Sequence, residues 1–275
     1  MKAQVALTVS ESKRLIARAI AALPEVRQAL AEGRILLKGG TTVSAVAEEL
    51  CGRSLRLSGR ISPRGAVSAL RKGTGAHSLL LDRGIPRTVD DCLEDAVLAM
   101  DADDVCVTGA NLIGSCGAAA MLAGAPLGGP PGRIFAGLMA QGCKIIIAAG
   151  LEKLGPGSIA DAVRAAGRCA SPSMGMSVGL MPIHGRLITE VEALELLSGA
   201  RCTVIARGGI AGAEGSVVLA LAGEPAAVGR GWGAALAVKG LGLSGDPDSL
   251  DECNGAAPGC SLHASCLYRG RRDSQ

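Results

Sequence analysis

Three short apolar runs in this chain each end in a glycine turn. RILLK at 34–38 runs into Gly39-Gly40-Thr41-Thr42, VCVT at 105–108 into Gly109-Ala110-Asn111, and CKIIIAA at 143–149 into Gly150-Leu151-Glu152-Lys153. Helical patterns lie between the runs. Strands that alternate with helices imply a parallel sheet covered on both faces, because each crossover lays a helix on the sheet. The expected fold class is α/β, with a doubly wound, mostly parallel sheet. Its core must be aliphatic, since Phe135, Trp232 and Tyr268 are the only aromatic residues. A chain of 275 residues buries roughly 70% of its extended surface, which is ample for such a core.

The helices announce themselves by their caps and faces. Thr8 with Glu11 forms a capping box, and Leu15, Ile16, Ala19, Ile20 and Leu23 share one face. Pro24 interrupts that helix, a second one follows to Glu32, and Gly33 stops it. A helix at 43–50 ends at Gly52. Two strands are expected around a glycine-rich turn, LRLSGRI at 55–61 and HSLLLDRG at 77–84, then an amphipathic helix at 88–100 with Val89, Leu93 and Val97 inward. After about residue 170 the pattern becomes strand 177–183, helix 189–197, strands 200–206 and 216–221, and helix 225–238. This suggests a ligand-binding domain at 1–170, a smaller α+β subdomain at 171–243, and a Cys-rich polar tail at 244–275.

Charge excludes some partners. A formal charge of +3, without a basic stripe interleaved with aromatics, does not suit nucleic acid. The charge-free stretch at 105–132 is broken by Pro126, Pro130 and Pro131, so it reads as a buried strand and a loop; no membrane partner is expected. Without a secretory pattern at the start, ten cysteines point to a reduced, cytoplasmic protein.

The three glycine turns carry the chemistry. Two glycines before a helix let a ligand approach the backbone, and the first-turn N–H groups favour an anion. The plain alternative is a strand–helix turn capped by threonine. Gly109 and Asn111 lie where ligands gather in open parallel sheets. Lys153 would add a positive charge there, or be a solvated surface lysine.

A strand ending in GGTT, a later one in TGAN and a third in GLEK resemble the superfamily of ribose-5-phosphate isomerases, CoA transferases and the sugar-sensing domains of DeoR-type repressors. The resemblance covers about 33–155. It implies a pocket made by Gly39, Gly40, Thr41, Thr42, Gly109, Asn111 and Lys153, with Lys153 as the catalytic residue. The chain departs from the family at 112–132, which holds no carboxylate where the isomerases carry acidic residues. Glu214 is a candidate for the transferase nucleophile, and no helix-turn-helix precedes the domain.

Other groups are weaker signals. Cys116 follows TGAN and is a candidate nucleophile, though no histidine is near it in sequence. Arg60, Arg64 and Arg133 sit in glycine- or proline-rich loops and could clamp an anion. His77 and His184 read as structural or surface groups. In the tail, Cys253, Cys260, His263 and Cys266 have the composition of a zinc or iron–sulfur site, without a Cys-x2-Cys knuckle. The leading expectation is a cytoplasmic protein that binds a small anionic metabolite, a sugar phosphate or acyl-CoA-like compound, and acts as an isomerase or transferase. The alternatives are a metabolite sensor or homo-oligomeric assembly module, and a metalloprotein acting through its tail.

Overall fold

A computed structural model describes residues 1–68, 75–253, 260, 263 and 265–269. Residues 69–74, part of the expected glycine-rich turn, and the basic end of the chain lie outside them. In chain order the elements are β1 (Lys2–Leu7), α1 (Val9–Ala22), α2 (Pro24–Glu32), β2 (Arg34–Lys38), α3 (Thr41–Cys51), β3 (Gly59–Ser62), β4 (Gly65–Ser68), β5 (Ser78–Asp82), β6 (Ile85–Thr88), α4 (Leu93–Leu98) and β7 (Val105–Gly109). There follow β8 (Leu112–Ile113), β9 (Ala119–Ala123), α5 (Gly129–Ala140), β10 (Lys144–Ala148), α6 (Ile159–Ala165), β11 (Gly179–Ile183), β12 (Arg186–Ile188), α7 (Glu190–Ser198), β13 (Arg201–Gly208), β14 (Ser216–Ala222) and α8 (Pro225–Leu236).

The molecule is a mixed α/β structure built on a six-stranded sheet, in the order β12-β10-β7-β2-β5-β6. Its first four strands are parallel, and β5 and β6 complete it antiparallel. Buried on both faces, the parallel strands read as near-continuous Ile, Leu and Val. Ile35, Leu36, Leu37, Val105, Val107 and Ile147 belong to one aliphatic core. Helix α1 lies against α3 and α7. It starts with the expected capping box: Thr8 N–H donates to Glu11 Oε2 at 2.8 Å, and Glu11 N–H to Thr8 Oγ1 at 3.4 Å.

A second, antiparallel sheet has the order β1-β14-β13. Along β14, buried Val217, Leu219 and Leu221 alternate with less buried residues, the period of a half-covered strand. Strand β1, which the sequence pattern missed, comes from the start of the chain to pair with β14, while β12 pairs with β10. Hydrogen bonds thus interleave residues 1–170 with 171–243.

Two further expectations need correcting. Residues 112–132 are not one loop: β8 and β9 pair with each other, β9 pairs with β11, and α5 begins at Gly129. The helix expected at 88–100 is shorter, because Asp90 turns its carboxylate back onto the start of β5. It accepts His77 N–H at 2.8 Å and Ser78 N–H at 2.7 Å. Val89, Leu93 and Val97 are buried all the same.

The polar segment after residue 243 is laced to the body. Asp246 N–H donates to the Leu55 carbonyl at 2.9 Å, and the Arg60 guanidinium donates to the Ser249 and Leu250 carbonyls at 2.9 and 2.7 Å. Arg64 Nη1 donates to the Cys253 carbonyl at 2.9 Å. Among the described residues, no helix is long and apolar enough to cross a membrane.

Candidate functional site

The carboxyl ends of β2, β7, β10 and β12 form one edge of the parallel sheet, and the chemistry-bearing residues collect there in two groups. Strand β7 separates the groups, so they stand about 10 Å apart at the usual strand spacing.

The first group lies at the end of β2. Lys38, 3% exposed, places Nζ 2.7 Å from His77 Nε2. His77 Nδ1 is 2.9 Å from the Arg56 carbonyl. A carbonyl only accepts, so Nδ1 carries the proton and Nε2 accepts from Lys38. Burial first, and the Lys38 charge second, push His77 down to about 4. Burial pushes Lys38 down to about 8. Gly39 lies on the imidazole: a Cβ there would fall 2.0 Å from the ring, and its φ is +21°. At Gly40, φ is +117°, and a Cβ would meet nothing within 4 Å.

Neither threonine caps α3. The N-cap is Gly40, without a side-chain hydrogen bond, and Thr42 Oγ1 is buried with no partner among the described residues. The first-turn N–H groups of α3 are therefore left without a side-chain cap. At the end of β7, Asn111 is used structurally. Its N–H donates to the Ala120 carbonyl at 2.8 Å, and its Oδ1 accepts Leu122 N–H at 3.0 Å.

The second group lies at the ends of β10 and β12 and against α1. Glu190 opens α7 beside Thr189, which forms its own capping box with Glu192. Glu190 Oε2 accepts Leu151 N–H at 2.8 Å, and Ser12 donates a further side-chain hydrogen bond. Burial pushes the Glu190 carboxyl up, and the Glu152 charge adds to the rise. Lys13, 8% exposed, stands 3.7 Å from Glu152 Oε1. Burial pulls its ammonium down while Glu152 and Glu190 hold it up.

Both carboxylate oxygens of Glu152 are out of water and have no hydrogen-bond partner among the described residues. The two carboxylates meet over Gly150: an ideal Cβ there would fall 2.1 Å from Glu152 Oε2 and 3.0 Å from Glu190 Oε1. Lys153 is partly exposed and forms no hydrogen bond or ion pair with the described residues. Burial pushes it down to about 8, with Lys13 lowering it further and both carboxylates opposing. Gly215, at the start of β14, closes the group; a Cβ there would lie 3.3 Å from Glu152 Cβ.

Four of these residues escaped the sequence reading. Lys38 passed as the end of a strand and His77 as a structural group. Glu190 looked like any acid in a first helical turn. Lys13 left a signal, since it precedes Ile16, Ala17 and Ile20 by three, four and seven positions on the buried face of α1.

Other expected residues lie elsewhere. Arg133 is on α5, ion-paired with Glu94 at 2.5 Å. Cys116, Glu214 and His184 are exposed. Cys253, Cys260, His263 and Cys266 line one pocket with Arg64, Tyr268 and Arg269. Among the described residues no three His, Cys, Asp or Glu side chains are placed to hold one metal ion, and no disulfide joins any of the ten cysteines. A larger cleft of ≈ 690 Å³, lined by Arg34, Asp82, Asp101 and Asp104, lies at the opposite, amino end of the strands. Neither cleft coincides with the carboxyl edge.

Comparison with known proteins gives no match: no family model, no curated protein and no solved structure.

Proposed function

We propose that the protein is an enzyme that binds a small anionic, hydroxylated metabolite of the sugar-phosphate kind at this edge and moves protons on it, as an isomerase or transferase does. The observation that carries the reading is Glu152. Both its oxygens are out of water and, beyond the ion pair with Lys13, accept no hydrogen bond from the described residues, so a ligand that brings donors would complete their solvation. Hydroxyl groups are such donors. The uncapped start of α3 after Gly39 and Gly40 suits the anionic end, and the separation of the two groups matches a short phosphorylated chain.

A thermal-shift screen of pentose and hexose phosphates tests this. A ligand at a hundredfold excess over its dissociation constant should stabilise the fold by about 2.7 kcal/mol. Gly40→Val, which fills the approach, and Glu152→Gln should each reduce that shift. A full response in both variants would put the ligand elsewhere.

A second reading concerns the C-terminal segment. Burial, then the charges of Arg168 and Arg269, push His263 down, which favours the neutral imidazole that metals bind. Three thiols and that imidazole fit zinc or an iron–sulfur cluster in kind. As placed, they would have to be drawn together. Elemental analysis of fresh protein beside a Cys260→Ser, Cys266→Ser variant decides; equal, near-zero metal in both removes this reading.

A further inference from the structure

The sheet edge holds an amine whose surroundings suit covalent chemistry. Lys153 stands where β10 ends, partly exposed, with no hydrogen bond or ion pair to the described residues. Glu152 is its chain neighbour and Glu190 meets Glu152 over Gly150. Lys13, the other lysine of the group, is already engaged with Glu152 at 3.7 Å and buried. One amine is thus ion-paired, while the other, on a residue only partly exposed, makes no such contact with the described residues.

We propose that Lys153 forms an imine with the carbonyl carbon of an aldose or ketose phosphate, with Glu152 and Glu190 moving the protons. This rests on the site reading above and deepens it by naming carbonyl compounds as the substrate class. Lys153 Nζ attacks the carbonyl carbon, and a C–N bond forms as the carbonyl π pair moves to oxygen. One nitrogen proton passes to that oxygen by way of Glu152. A second comes from Glu190, and the oxygen leaves as water. A protonated imine on Lys153 and an ionised Glu190 remain, so atoms and charge balance without an oxidant or reductant.

The electrostatics agree. An amine is nucleophilic only when neutral. With Lys153 near 8 rather than 10.5, its neutral fraction around pH 7.5 is roughly 200-fold higher than that of an ordinary lysine. Glu190, pushed up by burial, is the carboxyl suited to keep a proton until the oxygen needs it.

Borohydride trapping is the test. The protein is incubated with dihydroxyacetone phosphate or ribose 5-phosphate, reduced with borohydride, and measured by intact mass and peptide mapping. The expected product is one adduct, heavier than the protein by the probe's mass less one oxygen atom, on Lys153. It should be absent in Lys153→Arg and should form faster as pH rises through about 8. Adducts on Lys13, or scattered over surface lysines, overturn the proposal. Glycerol 3-phosphate and ribitol 5-phosphate, which have no carbonyl, separate the two ideas. Thermal stabilisation by them without trapping of the carbonyl probes leaves the binding site standing and removes the imine. Neither stabilisation nor trapping removes both.

Discussion

Replacing Gly150 with alanine probes the meeting of the two carboxylates directly. The backbone offers no objection, since φ −75° and ψ 160° suit any residue. The added methyl would fall 2.1 Å from Glu152 Oε2 and 3.0 Å from Glu190 Oε1, closer than atoms pack. Glu190 is tied to Leu151 N–H at 2.8 Å, and Glu152 has Lys13 on one side and Gly215 on another. Forcing a methyl into a filled site costs about 1–3 kcal/mol, and loss of the Glu190 hydrogen bond would add about 1.5–3 kcal/mol. The expected destabilisation is therefore about 2.5–6 kcal/mol, a drop in urea midpoint on the order of 1–2 M for a chain of this size. Glu152→Ala in the same background removes the nearest atom and should recover half the loss or more. The double-mutant cycle should then show a coupling of about 1–3 kcal/mol. A Gly150→Ala variant within about 0.5 kcal/mol of the parent, or additive changes, would refute the placement of the carboxylates.

The His77–Lys38 contact predicts an acid limb of stability. Because His77 stays neutral in the fold down to about pH 4, the unfolded chain takes up a proton below 6.5 that the folded chain refuses. Stability falls as pH drops through that window, by up to about 3 kcal/mol. Urea midpoints at pH 7 and 4.5 should therefore differ less for His77→Gln than for the parent; equal slopes would place the ring in solvent. Arg60→Ala should release the segment around 249–251, whose carbonyls it holds. Limited proteolysis should then cut after residue 243 while leaving the rest intact, and an unchanged digest would mean that the clamp is not needed.

What the sequence revealed followed local rules. Capping at Thr8, the apolar runs of β2, β7 and β10, and the glycine turns after them depend on near neighbours, and all were legible. Strand β1 was not, because its burial comes from β14, more than two hundred positions away. The same holds for the site. Gly150 and Lys153 stood out at a strand end, whereas Lys13 and Glu190 gain significance only when α1 and α7 bring them to Glu152. The residue types were visible, but their convergence is a property of the fold.

The pairing of β1 with β14 also bears on how the protein is made. Lys2 lies opposite Ala222, and the Met1 amino group donates to the Gly223 carbonyl at 2.8 Å. During synthesis the first strand leaves the ribosome long before its partner exists. At ordinary elongation rates of roughly 5–20 residues per second, it waits on the order of 10–40 s with its hydrogen-bonding edge open. Closing so long a loop comes late in folding. The growing chain thus depends on α1 packing early, or on a chaperone holding β1, until its last third has emerged.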